Sequence, residues 1–247
     1  MKKTLLVCAM LGSLAATSAQ AATLVGFKLG GDYWNADTSG TFAEKGQSQQ
    51  DFDYDSSWQG SIWVAVEHPI PFVPNLKIRE NRIEADGDAT LTGGWDFNGN
   101  TFSAGDISSS VDLSNTDFVL YYEILDNDVV SLDIGASYKL FHGSYRVADA
   151  GHPETKDLSS GVTMAYANAE VGLPLTGLFG FADVMLGLDE SSVYDYSLGL
   201  GWQFDGLALD TRVRLGYRDF NFDVNNFDGI TANNEFKGVF LGAEVVF

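Results

Sequence analysis

Few side chains in this sequence are of the right type and spacing to do chemistry. His142-x-Ser144 places an imidazole and a hydroxyl on the same face of an extended segment, the pairing a general base and a nucleophile need for acyl transfer. His68 and His152 each precede a proline and belong to turn or loop segments. Two oxygen-rich stretches, Asp51, Asp53, Asp55 and Asp223, Asn225, Asp228, could hold Ca²⁺ or Mg²⁺ loosely, but neither has the spacing of a dedicated calcium loop. Arg212, Arg214 and Arg218 share one parity, opposite Leu207, Leu209, Val213, Leu215 and Tyr217. Such a stripe either contacts an anionic solute or is neutralised by carboxylates from neighbouring segments. No residue is assigned as catalytic, cofactor-binding or metal-binding, and no cofactor is expected.

The elements that would position these groups are strands. Apolar residues recur with period two, as in Val25, Phe27, Leu29 and Tyr33 against Lys28 and Asp32. The same pattern covers Trp58 to Glu67, Leu76 to Ala85, Asp112 to Leu125, Val129 to Arg146, Gly161 to Leu173, Leu178 to Leu188, Val193 to Phe204, Leu207 to Phe222 and Phe236 to Phe247, which makes ten strands and leaves essentially no helix. Parity is ambiguous at Glu80 to Ile83, where a bulge is expected, and at Val162 to Val171, where alanines blur the faces. Connections alternate between short turns (Pro69 to Asn75, Asp126 to Asp128, Pro174 to Gly177, Asp205-Gly206) and mostly long, acidic loops (Asn35 to Asp55, Asp86 to Val111, Ala148 to Ser159, Asp189 to Ser192, Asn225 to Asn234). Asp205-Gly206 is a favoured pair for a two-residue hairpin turn. Short turns on one rim and longer loops on the other describe outer-membrane barrels.

The N-terminal residues read as an export signal. Lys2 and Lys3 precede an apolar run from Leu5 to Ala16 and an Ala19-Gln20-Ala21 cleavage site, so residues 1–21 are expected to be a signal peptide and 22–247 a single barrel domain. Cys8 falls inside the signal, leaving the mature chain without cysteine. Loss of Lys2 and Lys3 takes the formal charge from −20 to −22, which argues against binding nucleic acid through phosphates.

Which face of each strand meets water separates a soluble barrel from a membrane one. Charges at mid-strand positions opposite uninterrupted apolar residues favour an outward apolar face, and aromatics gather near both predicted rims: Tyr33, Trp58, Tyr194 and Tyr196 at one, Trp202, Phe204 and Phe247 at the other. The edges at Leu24 and Val246 must then pair, since open backbone groups cannot remain in hydrocarbon. Lys28, Lys77, Arg79, Arg82, Lys139, Arg212, Arg214 and Arg218 are expected to point inward or to lie at a bulge, facing Glu67, Glu123, Asp133, Glu170, Asp183 and Glu244. The expected lumen network comprises Lys28, Glu67, Glu123, Asp133, Lys139, Asp183, Arg212, Arg214, Arg218 and Glu244, paired because lone buried charges are too costly.

Gly26-x-x-x-Gly30-Gly31-Asp32-Tyr33-Trp34, Pro69-x-Pro71-x-x-Pro74-Asn75, Leu120-Tyr121-Tyr122-Glu123 and the terminal Phe247 together make the chain resemble a family of uncharacterised proteobacterial outer-membrane β-barrel proteins. The resemblance implies the Gram-negative outer membrane and a transmembrane antiparallel up-and-down barrel, and carries no catalytic residues. Gly242, Val245 and Phe247 resemble the C-terminal signal read by the barrel-assembly machinery, with Phe240 departing from it. His142-x-Ser144 is similar to the pair of the lipid A deacylase family, whose flanking pattern is missing. The expected function is structural or surface-interacting with a charge-filled lumen. The alternatives are a narrow porin-like channel and a surface enzyme of protease or lipid A-modifying type. Expected partners are outer-membrane lipid, lipopolysaccharide, the assembly machinery and divalent cations bridging acidic loops to phosphates.

Overall fold

The computed structural model describes residues 25–127, 129–206 and 209–247, so residues 1–21, where a signal peptide is expected, with Cys8, Leu24 and Leu207 lie outside the described residues. In chain order the strands are β1 (Gly26–Glu44), β2 (Gln50–Tyr54), β3 (Ser57–Glu67), β4 (Asn75–Arg82), β5 (Glu84–Leu91), β6 (Trp95–Phe97), β7 (Asn100–Phe102), β8 (Gly105–Asp112), β9 (Asn115–Asp126), β10 (Val130–Phe141), β11 (Ser144–Ala148), β12 (Pro153–Asp157), β13 (Gly161–Gly172), β14 (Leu178–Gly187), β15 (Tyr194–Phe204), β16 (Asp210–Phe227) and β17 (Ile230–Val246). Ten of them close a ring in the order β1-β17-β16-β15-β14-β13-β10-β9-β4-β3, with β3 returning to pair with β1. Every pairing is antiparallel. Closure leaves no open edge in the ring, as a barrel in hydrocarbon requires.

Side chains alternate along the strands, and on β16 and β17 the polarity of the two faces exchanges part-way along. On β17 the outward residues Val239, Leu241, Ala243, Val245 and Phe247 are apolar, whereas Thr231, Asn233, Glu235 and Lys237 beyond them are polar. The inward set changes the opposite way, from Glu244 to Phe240, Phe236 and Ile230. The adjacent β16 repeats the exchange at the same level. Its outward Val213, Leu215 and Tyr217 give way to Asp219, Asn221 and Asp223, while inward Arg212, Arg214 and Arg218 give way to Phe220, Phe222 and Val224. Tyr217 pairs with Val239 and Asp219 with Lys237, so the two changes coincide. Nine residues from Val239 to Phe247, at about 3.3 Å each and a tilt near 40°, span about 23 Å, which matches the apolar belt of a membrane barrel. The Tyr33 and Trp58 rings stack at 4.8 Å at the upper edge, and Trp202 and Phe204 stack at 5.9 Å at the lower.

Beyond the belt the wall continues into water. The upper part of β1 pairs with β2, β2 with β5, β5 with β8, β8 with β11 and β11 with β12, forming an outer extension. The segments read from sequence as long acidic loops are therefore largely strands, and this expectation is corrected. Their apolar residues point inward, and Phe42, Phe52, Tyr54, Ile107, Val111, Tyr145, Phe222 and Ile230 build a buried aromatic and aliphatic core of the soluble kind. The β6–β7 hairpin is part of this core: Trp95 and Phe97 pack against Phe42 at 5.9 Å and 5.6 Å. Its tip, Asn98-Gly99, adopts positive φ at both residues and bonds to Glu44 and Glu154.

Three further expectations change. Arg82 points outward and pairs with Glu84, because parity runs unbroken through Arg79, Asn81, Ile83 and Ala85, all of which face inward. The chain there changes neighbours, from β3 and β9 to β8, without a bulge. A register shift occurs instead between Leu132 and Asp133. Asp205-Gly206 is not a two-residue turn, since Phe204 and Thr211 are the last paired residues and neither Asp205 nor Gly206 has positive φ. Asp228-Gly229, with φ of 50° and 83° between the paired Phe227 and Ile230, fills that role on β16–β17.

Candidate functional site

The lumen of the membrane-spanning part concentrates the charged side chains in three layers. Nearest the outer extension, Arg79 Nε donates to Asp117 at 2.9 Å and its Nη2 to Asp195 at 2.9 Å. Arg218 grips Asp195 with Nε and Nη2 at 2.9 Å and 2.7 Å, and Lys139 Nζ lies 2.8 Å from Asp117 and 3.1 Å from Asp195. Asn81 and Asn115 complete the hub, which contacts Trp34 and Phe220 through Arg218 and Lys139. All five charged residues of this hub are buried.

The middle layer joins Lys77 to Asp183 at 3.1 Å, with the Tyr166 hydroxyl donating to the same carboxylate at 3.0 Å. Arg214 binds both oxygens of Asp32 at 2.9 Å and 3.0 Å and lies over the rings of Trp63 and Phe181. Toward the turn rim, Arg212 bridges Glu170 and Glu244 and covers Phe179 at 4.0 Å, and Trp63 Nε1 donates to Glu244 at 3.2 Å. Lys28 pairs with Glu67 at 2.6 Å, and the Tyr121 hydroxyl donates to the same residue at 2.8 Å.

Of the residues expected in the network, Lys28, Glu67, Lys139, Asp183, Arg212, Arg214, Arg218 and Glu244 meet partners there, as do Lys77, Arg79 and Glu170. Glu123 and Asp133 face inward with no ion-pair partner among the described residues, Glu123 at the exposed turn-side mouth. Neither Asp195 nor Asp117 is in the network expected from sequence, although both fall in predicted strands. Asp117 carried a usable signal, its shared parity with Val119, Tyr121 and Glu123 on β9. Asp195 had a weaker one, because its inward neighbours are Ser197, Gly199 and Gly201. Those small residues leave room for rings: a side chain on Gly201 would collide with Phe179, and one on Gly216 with Phe240.

Gly242, Val245 and Phe247 lie along the end of the belt, where Val245 pairs with Leu29 and the Phe247 amide donates to the Phe27 carbonyl at 2.9 Å. His142 faces outward at the loop rim with Nε2 3.0 Å from Glu80, whose other oxygen accepts from Thr116. Ser144 is not among the hydrogen-bond partners of His142. His68 bridges its own turn, accepting from the Ile70 amide and contacting the Pro74 carbonyl, and His152 is exposed.

Outside the membrane span, a cleft of about 1150 Å³ opens on the solvent face of the outer extension. Asp51, Asp53, Asp88, Asp106 and Asp149 line it without a lysine or arginine. Asp228, in the other acidic stretch, is used structurally: it accepts from the Ser159 and Ser160 amides and the Ser160 hydroxyl. Burial alone would raise its pKa, but these bonds and the nearby Lys156 charge outweigh burial and hold the carboxyl below its usual range. Burial pushes the Tyr54 and Tyr145 phenols up, and Tyr145 donates to Asn234 at 2.6 Å inside the outer core. Among the described residues, no group of three histidine, cysteine or acidic side chains is placed to hold a metal ion.

No family model matches the chain. No curated protein matches it either. Among solved structures the chain is similar to the translocator domain of the autotransporter NalP from Neisseria meningitidis, at 13% identity over 98% of this chain and 97% of that one, TM-score 0.38. It is also similar to the attachment invasion locus protein Ail of Yersinia pestis in complex with the heparin analogue sucrose octasulfate (12% identity, 91% and 100% covered, TM-score 0.34). A third is the outer membrane protein OprG from Pseudomonas aeruginosa (10% identity, 91% and 96% covered, TM-score 0.31).

Proposed function

We propose that the chain is a closed outer-membrane barrel of a Gram-negative bacterium that acts through its outer extension, as a structural or surface-interaction protein, and that it neither conducts solutes nor catalyses a reaction. The observation that carries this reading is the buried hub of Arg79, Asp117, Lys139, Asp195 and Arg218 across the lumen, with a second, apolar seal above it in the Phe42, Trp95 and Tyr145 core. A conducting lumen needs a continuous wet path lined by polar groups. Here Arg212, Arg214 and Arg218 bind carboxylates and cover aromatic rings, so the stripe has no free guanidinium for a passing anion. Export by residues 1–21, insertion by the assembly machinery through the Gly242, Val245 and Phe247 end, and contact with lipopolysaccharide through divalent cations complete the proposal. His142 and Glu80 stay outside it, because among the described residues no hydroxyl is hydrogen-bonded to the imidazole, and the Thr116 hydroxyl is donated to Glu80 instead.

Single-channel recording of the refolded chain in a planar bilayer is the test. A flat baseline at potentials that open porins is expected. Discrete steps that change when Arg214 is neutralised would replace this reading with a channel.

A further inference from the structure

The lumen is unevenly charged along its axis. In its outer and middle layers, Lys77, Arg79, Lys139, Arg214 and Arg218 meet Asp32, Asp117, Asp183 and Asp195 in close contacts. At the turn end, among the described residues, Glu67, Glu123, Asp133, Glu170 and Glu244 outnumber Lys28 and Arg212 by three charges, with Arg214 and Lys77 of the middle layer also acting on Glu244. Glu67 is taken by Lys28 and Tyr121, and Glu170 and Glu244 by Arg212.

Glu123 and Asp133 are the exceptions, and Asp133 is the buried one. Asp133 points inward from β10, is 8% exposed, and among the described residues its Oδ1 has no hydrogen-bond donor. The charges acting on it are those of Lys28, Glu67, Glu123 and Glu170, three of them repulsive. In the register of β9 and β10 it sits directly opposite Glu123, at the position where the pairing shifts. Two carboxylates across one rung repel each other, and a buried carboxylate oxygen with no donor is a costly state unless a proton or a cation neutralises it.

We propose that this turn-side vestibule binds a hard divalent cation of the Mg²⁺ class, with Asp133 and Glu123 as its carboxylate ligands and water in its remaining positions. Ca²⁺ in a cage built wholly of protein oxygens would need more ligands than these residues offer. Mg²⁺ keeps several waters and is commonly held by one or two carboxylates, which is what the rung provides. The ion would enter past the exposed Glu123 and stop beneath the layer closed by Lys77, Asp183 and Tyr166, so the site needs no conducting path. Occupation would cut the local excess from three negative charges to one.

Binding of Mn²⁺ as the probe, followed by its free-ion EPR signal on the refolded full chain in octyl glucoside, tests the site. One Mn²⁺ displaced by Mg²⁺ is expected, weakened at least about tenfold by Asp133→Asn. Glu123→Gln, at the exposed mouth, should weaken it similarly and serves if Asp133→Asn does not fold. Asp53→Asn with Asp88→Asn, in the outer cleft, should leave it unchanged. Three results would overturn the proposal: no bound ion in the wild type, binding that survives Glu123→Gln and any folded Asp133→Asn, or loss of the ion on changing the outer cleft alone.

Discussion

Replacing Asp195 with asparagine should be among the most destabilising isosteric changes in this molecule. Its carboxylate accepts from Arg218 twice, from Arg79 and from Lys139, and it is 2% exposed. In the wild type Lys77, Arg79, Lys139 and Arg218 are held by Asp117, Asp183 and Asp195. Without Asp195 four cations share two carboxylates in a largely buried space, and an asparagine carbonyl supplies a dipole where a full charge stood. Removing one partner of a buried ion pair costs about 3–5 kcal/mol, equivalent to roughly two to three and a half powers of ten in the folding equilibrium. Urea unfolding of the chain refolded in phospholipid vesicles, read by tryptophan fluorescence and by the folded band on an unheated gel, would measure it. A loss below about 1 kcal/mol would refute the reasoning, because it would mean that the hub is hydrated or that its cations find other acceptors.

The other predictions concern the outer extension. Asp53 and Asp88 stand directly opposite each other on its solvent face. Asp53→Asn should raise stability by about 0.2–1 kcal/mol in low salt, a gain that fades in about 0.5 M NaCl when measured by thermal melting. Trp95, 7% exposed among Phe42, Phe52, Phe97 and Phe102, anchors the hairpin. Trp95→Ala should cost about 3–5 kcal/mol locally, seen as protease cleavage between residues 92 and 104 while the heat-dependent gel shift of the barrel persists. Asp228 has a folded pKa below its ordinary 3.8, so its stabilisation is present above that value and lost as pH falls through the folded one. Asp228→Asn should therefore be destabilised relative to wild type at pH 6, with the difference closing toward zero as the pH falls through the lowered folded pKa of Asp228.

The ten strands of the barrel were legible because outward apolar residues alternate with inward polar ones along each, as in Val213, Leu215 and Tyr217 against Arg212, Arg214 and Arg218. Where the wall leaves the belt, the period continues while the meaning of the two faces exchanges. In β1 the inward parity that carries Lys28 and Asp32 goes on to Trp34 and Phe42, and the outward parity goes from Leu29 and Tyr33 to Asp37, Ser39 and Thr41. A reading that expected apolar residues on the outside took this water-facing half, with its many aspartates, for loop. The network was partly legible for a similar reason. A basic residue inside an apolar strand stands out, whereas Asp195 beside serine and glycine, or Asp117 at the end of an acidic run, becomes a hub only when distant strands bring Arg79, Lys139 and Arg218 to it. Arg82 was misplaced because a change of strand partners at Ile83 resembles a bulge in one dimension.

The level at which the faces exchange on β16 is the most direct quantity to measure. Single spin labels at outward positions 213, 215, 217, 219, 221 and 223 of the vesicle-inserted chain can be scored for collision with oxygen, which enriches in hydrocarbon, and with a water-soluble nickel chelate. Oxygen should dominate through 217 and the chelate from 219 onward, with labels at inward 214 and 220 shielded from both. A chelate that reaches 213 and 215 as readily as 221 and 223 would contradict the lipid-facing belt and everything built on it.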